Sequence, residues 1–210
     1  AKKNNLKIVC LSISSSFTGK TGEELDKNLK EAEDHIILAN KMEVPFIRVF
    51  GGEPAKEKSK EENVKTLAGN LKVLGDFAKS YGVKVLLETH DEISNEPEDA
   101  LKIMREADSP QIGILWDITN CFRTGTREDE FVKLLSKYIL YTHIKDALGH
   151  DYKLLGEGNS PIENSVKLLK SNSYLGFFGV EWEKAWVPEL PDGSIALPQY
   201  SKKLREYYGK

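Results

Sequence analysis

The sequence predicts an α/β fold in which parallel strands alternate with outer helices and curl towards a barrel. Three observations carry this expectation. Apolar runs of strand length alternate with amphipathic segments that open on capping residues, the pattern of repeated βα units. The repeat of ~25–40 residues leaves room for a helix to return the chain to a parallel strand. Four successive runs end on a residue able to bind a metal: 83–88 on Glu88, 112–117 on Asp117, 139–143 on His143 and 177–181 on Glu181. Parallel barrels build their active sites at strand C-terminal ends. In a flat sheet with strands about 4.8 Å apart, the outer two of these four would lie about 14 Å apart. A shared site therefore requires a curled sheet, whereas an open doubly wound sheet would keep them separate.

In chain order, residues 6–13 form the first apolar run. Thr21-Gly22-Glu23-Glu24 reads as a capping box, with an amphipathic helix following to Met42. Residues 45–50 are the second strand, closed by Gly51-Gly52. Ser59-Lys60-Glu61-Glu62 is another capping box and opens a helix to Tyr81, with Gly82 as its stop. The strand ending at Glu88 follows, then a short helix over 97–106 and the strand ending at Asp117. Residues 126–137 are helical and lead to the His143 strand. Ser160-Pro161-Ile162-Glu163 combines an N-cap, a proline at N1 and a capping glutamate. Its helix precedes the Glu181 strand, and 197–208 is the terminal helix. These make six strands, against the eight of a closed barrel. No linker or low-complexity tract divides the chain, so residues 1–210 read as one domain. Open edges on the first and last strands invite pairing, which predicts at least a dimer.

Composition excludes several classes. A chain of 210 residues, 40% hydrophobic and 30% charged, has the profile of a soluble globular protein with one core. A net charge of −3 supplies no basic stripe for nucleic acid. Cys10 and Cys121, far apart and without CxxC spacing, predict a reducing, cytoplasmic setting and no structural zinc. The opening Ala1-Lys2-Lys3-Asn4-Asn5 lacks the apolar stretch of a signal peptide. No run reaches the ~18 apolar residues of a membrane span.

Three carboxylates and one imidazole at strand ends form a hard, oxygen-rich donor set. Glu88, Asp117, His143 and Glu181 thus predict one divalent cation, with Mn²⁺, Mg²⁺ or Co²⁺ suited and Zn²⁺ compatible. Glu183 shares strand parity with Glu181 and is the rival ligand. His90 shares parity with Glu88 and either touches substrate or makes a structural hydrogen bond. Lys145 points inward by alternation after His143, towards a phosphate or into a pair with Asp146, the pairing being preferred. Glu157, between Gly156 and Gly158, is a pocket-loop residue or a turn. Arg48 is expected to pair with a core carboxylate.

The chain resembles the xylose isomerase-like barrels, specifically the sugar phosphate isomerase/epimerase superfamily. The resemblance rests on Val44-Pro45-Phe46-Ile47-Arg48-Val49-Phe50-Gly51-Gly52, Leu86-Leu87-Glu88-Thr89-His90-Asp91, Leu115-Trp116-Asp117, Thr142-His143-Ile144-Lys145-Asp146, Leu155-Gly156-Glu157-Gly158 and Gly179-Val180-Glu181-Trp182-Glu183-Lys184-Ala185-Trp186. It covers about residues 6–208 and aligns the first run here with the family's third strand, so the usual first two βα units are lacking. By resemblance, Glu88, Asp117, His143 and Glu181 are the metal ligands, and Glu88 and Glu181 double as acid/base groups. The implied activity is isomerisation or epimerisation of a sugar, sugar phosphate or ketose through an enediolate, with the metal as Lewis acid. Asn120 stands where many relatives place a histidine near substrate. A lyase of the inosose or dehydroshikimate dehydratase type is the neighbouring reading, because an enediolate can also expel a β-hydroxyl. A truncated, non-catalytic barrel is another. Endonuclease IV-like DNA repair shares the superfamily, but its histidine-rich cluster fits poorly with four histidines and an acidic balance.

Overall fold

The first strand, β1 (Cys10–Ser16), starts four residues into the apolar run that announces it. Ahead of the run lies a 3-10 turn at Lys2–Asn4, and Asn4 and Leu6 both donate backbone N–H groups to the Ala1 carbonyl. The strand pairs in parallel with β2 at Cys10–Ser12 and, past a register shift, again at Ser16 beside Phe50, which carries it into polar Ser14–Ser16. Pairing overrides local propensity at this edge. The structure, a computed structural model, describes residues 1–209. It comprises two compact units, residues 1–115 and 116–210.

In the first unit, β1 is followed by α1 (Gly22–Lys41), β2 (Phe46–Phe50), α2 (Lys60–Lys79), β3 (Lys84–Glu88), α3 (Pro97–Ala107) and β4 (Ile112–Asp117), whose last two residues enter the second unit. The strands pair in parallel in the order β1-β2-β3-β4, with Phe50 beside Glu88 and Glu88 beside Leu115. Val85, Leu86 and Leu87 are buried on both faces of β3, as are all six residues of β4. That is the signature of a parallel sheet covered by helices. Helix α2 contributes Leu67, Leu71 and Leu74, all fully buried. A Cβ on its Gly75 would lie 2.5 Å from the Ser109 hydroxyl, so glycine permits the close approach of α2 to that loop.

The two predicted capping boxes of this unit behave differently. At α2 the box forms: the Glu62 N–H donates to Ser59 Oγ at 3.2 Å and the Ser59 N–H to Glu62 Oε2 at 2.8 Å. At α1 it does not: Thr21 makes no side-chain cap. Gly22 enters that helix at φ +54°, and Glu24 pairs with Lys20 instead. Ser59→Ala is therefore expected to cost about 1 kcal/mol of stability, read as a lowered urea midpoint, while Thr21→Ala should leave that midpoint nearly unchanged.

The second unit holds α4 (Ile118–Arg123), α5 (Glu128–Leu135), β5 (Ile139–Ile144), β6 (Asp146–Leu148), β7 (Asp151–Lys153), α6 (Ile162–Ser171), β8 (Phe177–Val180) and α7 (Gly193–Tyr208). Strands β5 and β8 pair in parallel, and β6 and β7 form an antiparallel hairpin. Trp116 and Phe131, both fully buried, stack at 5.0 Å between ring centroids. Helix α6 has Pro161 as its N-cap and no side-chain cap, so Ser160 does not play the capping role its position suggests. Helix α7 starts four residues earlier than Leu197, capped by Asp192 accepting from the Ser194 N–H at 2.8 Å. Pro198 lies inside it. Short helix α4 and the β6–β7 hairpin are additions to the sequence reading.

Candidate metal centre

Register places the second unit's functional side chains. His143 lies beside Gly179 in the β5–β8 ladder. The Glu181 N–H donates to the Ile144 carbonyl at 3.0 Å, extending the pairing past the end of β8. Alternation then turns His143, Lys145 and Glu181 to one face. A Cβ on Gly179 would fall 2.5 Å from the Tyr141 hydroxyl, so a larger residue there would have to push the Tyr141 ring aside. Asp117 reaches the same place from the end of β4. It is the N-cap of α4, and its Oδ1 accepts from the Asn120 N–H at 2.9 Å.

The result is a cluster of opposite charges with little access to water. Asp117 is fully buried, and Lys145 is 3% exposed. Lys145 Nζ lies 2.7 Å from Asp117 Oδ2 and 2.6 Å from Glu181 Oε2. His143 Nδ1 lies 3.4 Å from Glu181 Oε1 and 4.0 Å from Asp117 Oδ2. Burial pushes the Asp117 carboxyl up to about 6, with Glu181 adding to the rise and Lys145 opposing it. Burial also pushes Glu181 up, but His143 and Lys145 outweigh it, so its pKa falls below the ordinary value. Lys145 is held above its usual range because Asp117 and Glu181 overcome the burial that favours a neutral amine. These directions describe a lysine shared between two ionised carboxylates.

Asp117, His143 and Glu181 each offer a ligand atom within 4.8 Å of the others. Two carboxylate oxygens and an imidazole nitrogen so close together suit a divalent cation. The fourth expected ligand, Glu88, ends β3 in the first unit. It is buried, and its Oε2 lies 3.0 Å from Arg48 Nε, so Arg48 takes the core-carboxylate role expected of it.

The weaker site residues divide. Lys145 departs from the reading that preferred a pair with Asp146: its partners are Asp117 and Glu181. Asp146 is used otherwise. Its carboxylate accepts backbone N–H groups from Ala147, Gly156, Gly158 and Ser160 at 2.8–3.2 Å. Four donors on one carboxylate fix the 156–160 loop. Tyr200, fully buried on α7, accepts the Asp146 N–H at 2.8 Å and donates to the Lys153 carbonyl at 2.7 Å. These two residues hold the segment following His143, and sequence reading missed both. The signal for Asp146 was its placement before a Gly-x-Gly loop; nothing local marks Tyr200. Glu157 is exposed in that loop. His90 is exposed and lies 4.7 Å, centroid to centroid, from the Phe50 ring. The Asn120 backbone supports Asp117 as described. Glu183 interacts with the Tyr152 hydroxyl.

Comparison with known proteins identifies the family. The profile described as "Xylose isomerase-like TIM barrel" matches residues 1–204. The chain belongs to this family. Its fold is accordingly an α/β barrel of the TIM type with six strand–helix units among the described residues, fewer than the eight of a closed barrel. The chain is 25% identical over 239 aligned positions to an inosose dehydratase of Clostridium perfringens, covering 97% of this chain and 76% of that protein. Among solved structures it is similar to a D-tagatose 3-epimerase-like protein, with a TM-score of 0.82 and 22% identity over 99% of this chain and 79% of that one. It is also similar to the IolI protein with a bound zinc atom, with a TM-score of 0.81 and 20% identity over 96% and 76% respectively. Among the described residues, no helix is long and apolar enough to cross a membrane.

Proposed function

We propose that the chain is a divalent-metal-dependent enzyme acting on a sugar or polyol ketone, with Glu88, Asp117, His143 and Glu181 as the ligands. The observation that carries this reading is the convergence of Asp117, His143 and Glu181 ligand atoms within 4.8 Å in a chain of the xylose isomerase-like family. A divalent ion held there would polarise a substrate carbonyl and acidify the adjacent C–H. Glu181 is the group to which we assign that proton. It is 26% exposed, against 0% for Asp117, so it is the more open of the two carboxylates. Its depressed pKa keeps it ionised at neutral pH, the form a base must take, although it makes the base a weaker one. Lys145 fixes Oε2 and leaves Oε1 on the His143 side. Glu88, whose carboxylate is paired with Arg48, would be the second acid/base group. Return of the proton to the same or the next carbon gives epimerisation or isomerisation.

The same first step followed by loss of a β-hydroxyl gives dehydration. The 25% identity to an inosose dehydratase over 97% of this chain favours keeping this second reading. Incubation with inososes and ketoses in D₂O, followed by NMR, separates them. Deuterium at the carbon next to the carbonyl in recovered sugar supports isomerase or epimerase action, and an enone or diketone product supports dehydration. No exchange and no product from any member of the panel would sink both. The metal is tested separately. Purified chain loaded with Mn²⁺ and desalted is expected to retain about one ion per chain by elemental analysis, and Asp117→Ala with His143→Ala to retain none. Equal metal in that double variant would remove the proposed centre.

A further inference from the structure

A second polar cavity lies outside this cluster, between α4, the tip of the β6–β7 hairpin and the entry to α6. Its volume is about 280 Å³, and Thr119, Arg123, His150, Asn159 and Ser160 are among its lining residues. Two of them carry buried donors that the fold does not use. Arg123 Nε donates to the Gly149 carbonyl at 3.1 Å, its side chain bonds the Tyr152 hydroxyl, and its guanidinium carbon stands 5.5 Å from that ring's centroid. Its Nη2 is buried without a hydrogen-bond partner among the described residues. Ser160 donates its N–H to Asp146 Oδ1 at 3.2 Å, yet its Oγ is likewise buried and unbonded. Folded proteins rarely leave such groups unsatisfied, so each calls for a partner.

We propose that this cavity is a binding site for a phosphoryl group. Arg123 supplies a fixed positive charge with a donor to spare. Ser160 supplies a hydroxyl, and the His150 ring and Asn159 amide add donors from the hairpin tip and the loop. Donors on three separate segments suit the three free oxygens of a tetrahedral phosphoryl group better than the two coplanar oxygens of a carboxylate. Nε and the Tyr152 ring fix the guanidinium plane, so little rotamer freedom is left to lose on binding. Ser160 also stands just before the first turn of α6, the positive end of a ten-residue helix. Its loop neighbours are already ordered by Asp146. The site does not depend on the metal reading, because no proposed ligand lines it.

The test is calorimetric titration of the EDTA-treated full chain with inorganic phosphate, so that no metal competes for the anion. Wild type is expected to bind one phosphate per chain at millimolar concentration or below. Arg123→Gln should weaken binding at least tenfold and Ser160→Ala about threefold, with Arg123→Lys intermediate. Sodium acetate at matched ionic strength should bind at least tenfold more weakly than phosphate. Circular dichroism melts confirm that each variant is folded. If Arg123→Gln misfolds, Ser160→Ala decides alone. Absence of binding by wild type, wild-type affinity in both variants, or equal affinity for acetate would each overturn the assignment.

Discussion

Lys145→Met is expected to destabilise the metal-stripped protein far more than the manganese-loaded one. Lys145 is the cation that two buried carboxylates share, at 2.7 and 2.6 Å. Removing one partner of a buried ion pair costs ~3–5 kcal/mol, because the remaining charge stays desolvated. For a chain of this length that is a fall of roughly 6–20 °C in melting temperature. A divalent ion bound to the same carboxylates would supply the lost charge. The variant's melting temperature should therefore recover most of the loss on metal addition, and its metal affinity should rise relative to its stability. Differential scanning calorimetry with EDTA and with excess Mn²⁺, on wild type and variant, measures the linkage. An equal fall in both conditions would make Lys145 a packing residue with no part in balancing the site. A rise in stability of the stripped variant would mean that Asp117 is neutral in the folded chain.

How much was legible in the sequence depended on whether a feature is encoded locally. Buried strands β3 and β4 announce themselves as apolar runs, and β4 has the bounds the sequence gives it, Ile112–Asp117. The Ser59 capping box is local chemistry, and it forms as read. Features that depend on distant partners were read less well. Strand β1 runs on into polar Ser14–Ser16 because, past a register shift, Ser16 pairs with Phe50 of β2. Helix α7 begins before Leu197 because Asp192 caps it, although Pro198 looks like a starting signal. Helix α4 is only six residues long and depends on Asp117 as its cap, which no periodicity reveals. In the site, alternation put Lys145 on the face of His143. It could not choose a partner for Lys145. Sequence adjacency favoured Asp146, but adjacent residues on an extended strand face opposite sides, and the loop amides of Gly156, Gly158 and Ser160 claim the Asp146 carboxylate. Both outcomes follow from strand geometry once the hairpin after β5 is known.

Glu181→Gln is expected to cut kcat by about 10²–10⁴, the usual scale for a general acid–base group, on whichever ketose or inosose is turned over. The expectation follows from the two faces of this carboxylate. Its Oε2 accepts from Lys145 at 2.6 Å, and its Oε1 lies 3.4 Å from His143 Nδ1. An amide retains one acceptor oxygen and replaces the other with an NH₂ donor. Lys145 requires that oxygen, so the NH₂ turns towards His143, where a ligand atom is wanted. Glu181→Gln should therefore also weaken metal binding, because one of its two acceptor oxygens becomes a donor. Glu181→Asp keeps both acceptors on a shorter arm and should retain more metal than the glutamine variant while remaining slow. Single-turnover measurement at saturating Mn²⁺ separates chemistry from metal loss, because a deficit in loading disappears there and loss of the base does not. Exchange of the substrate's α-proton with solvent at the wild-type rate in fully loaded Glu181→Gln would exclude Glu181 as the base. The proton would then have to leave towards Glu88, and the reciprocal Glu88→Gln variant, loaded in the same way, would carry the full loss in exchange rate.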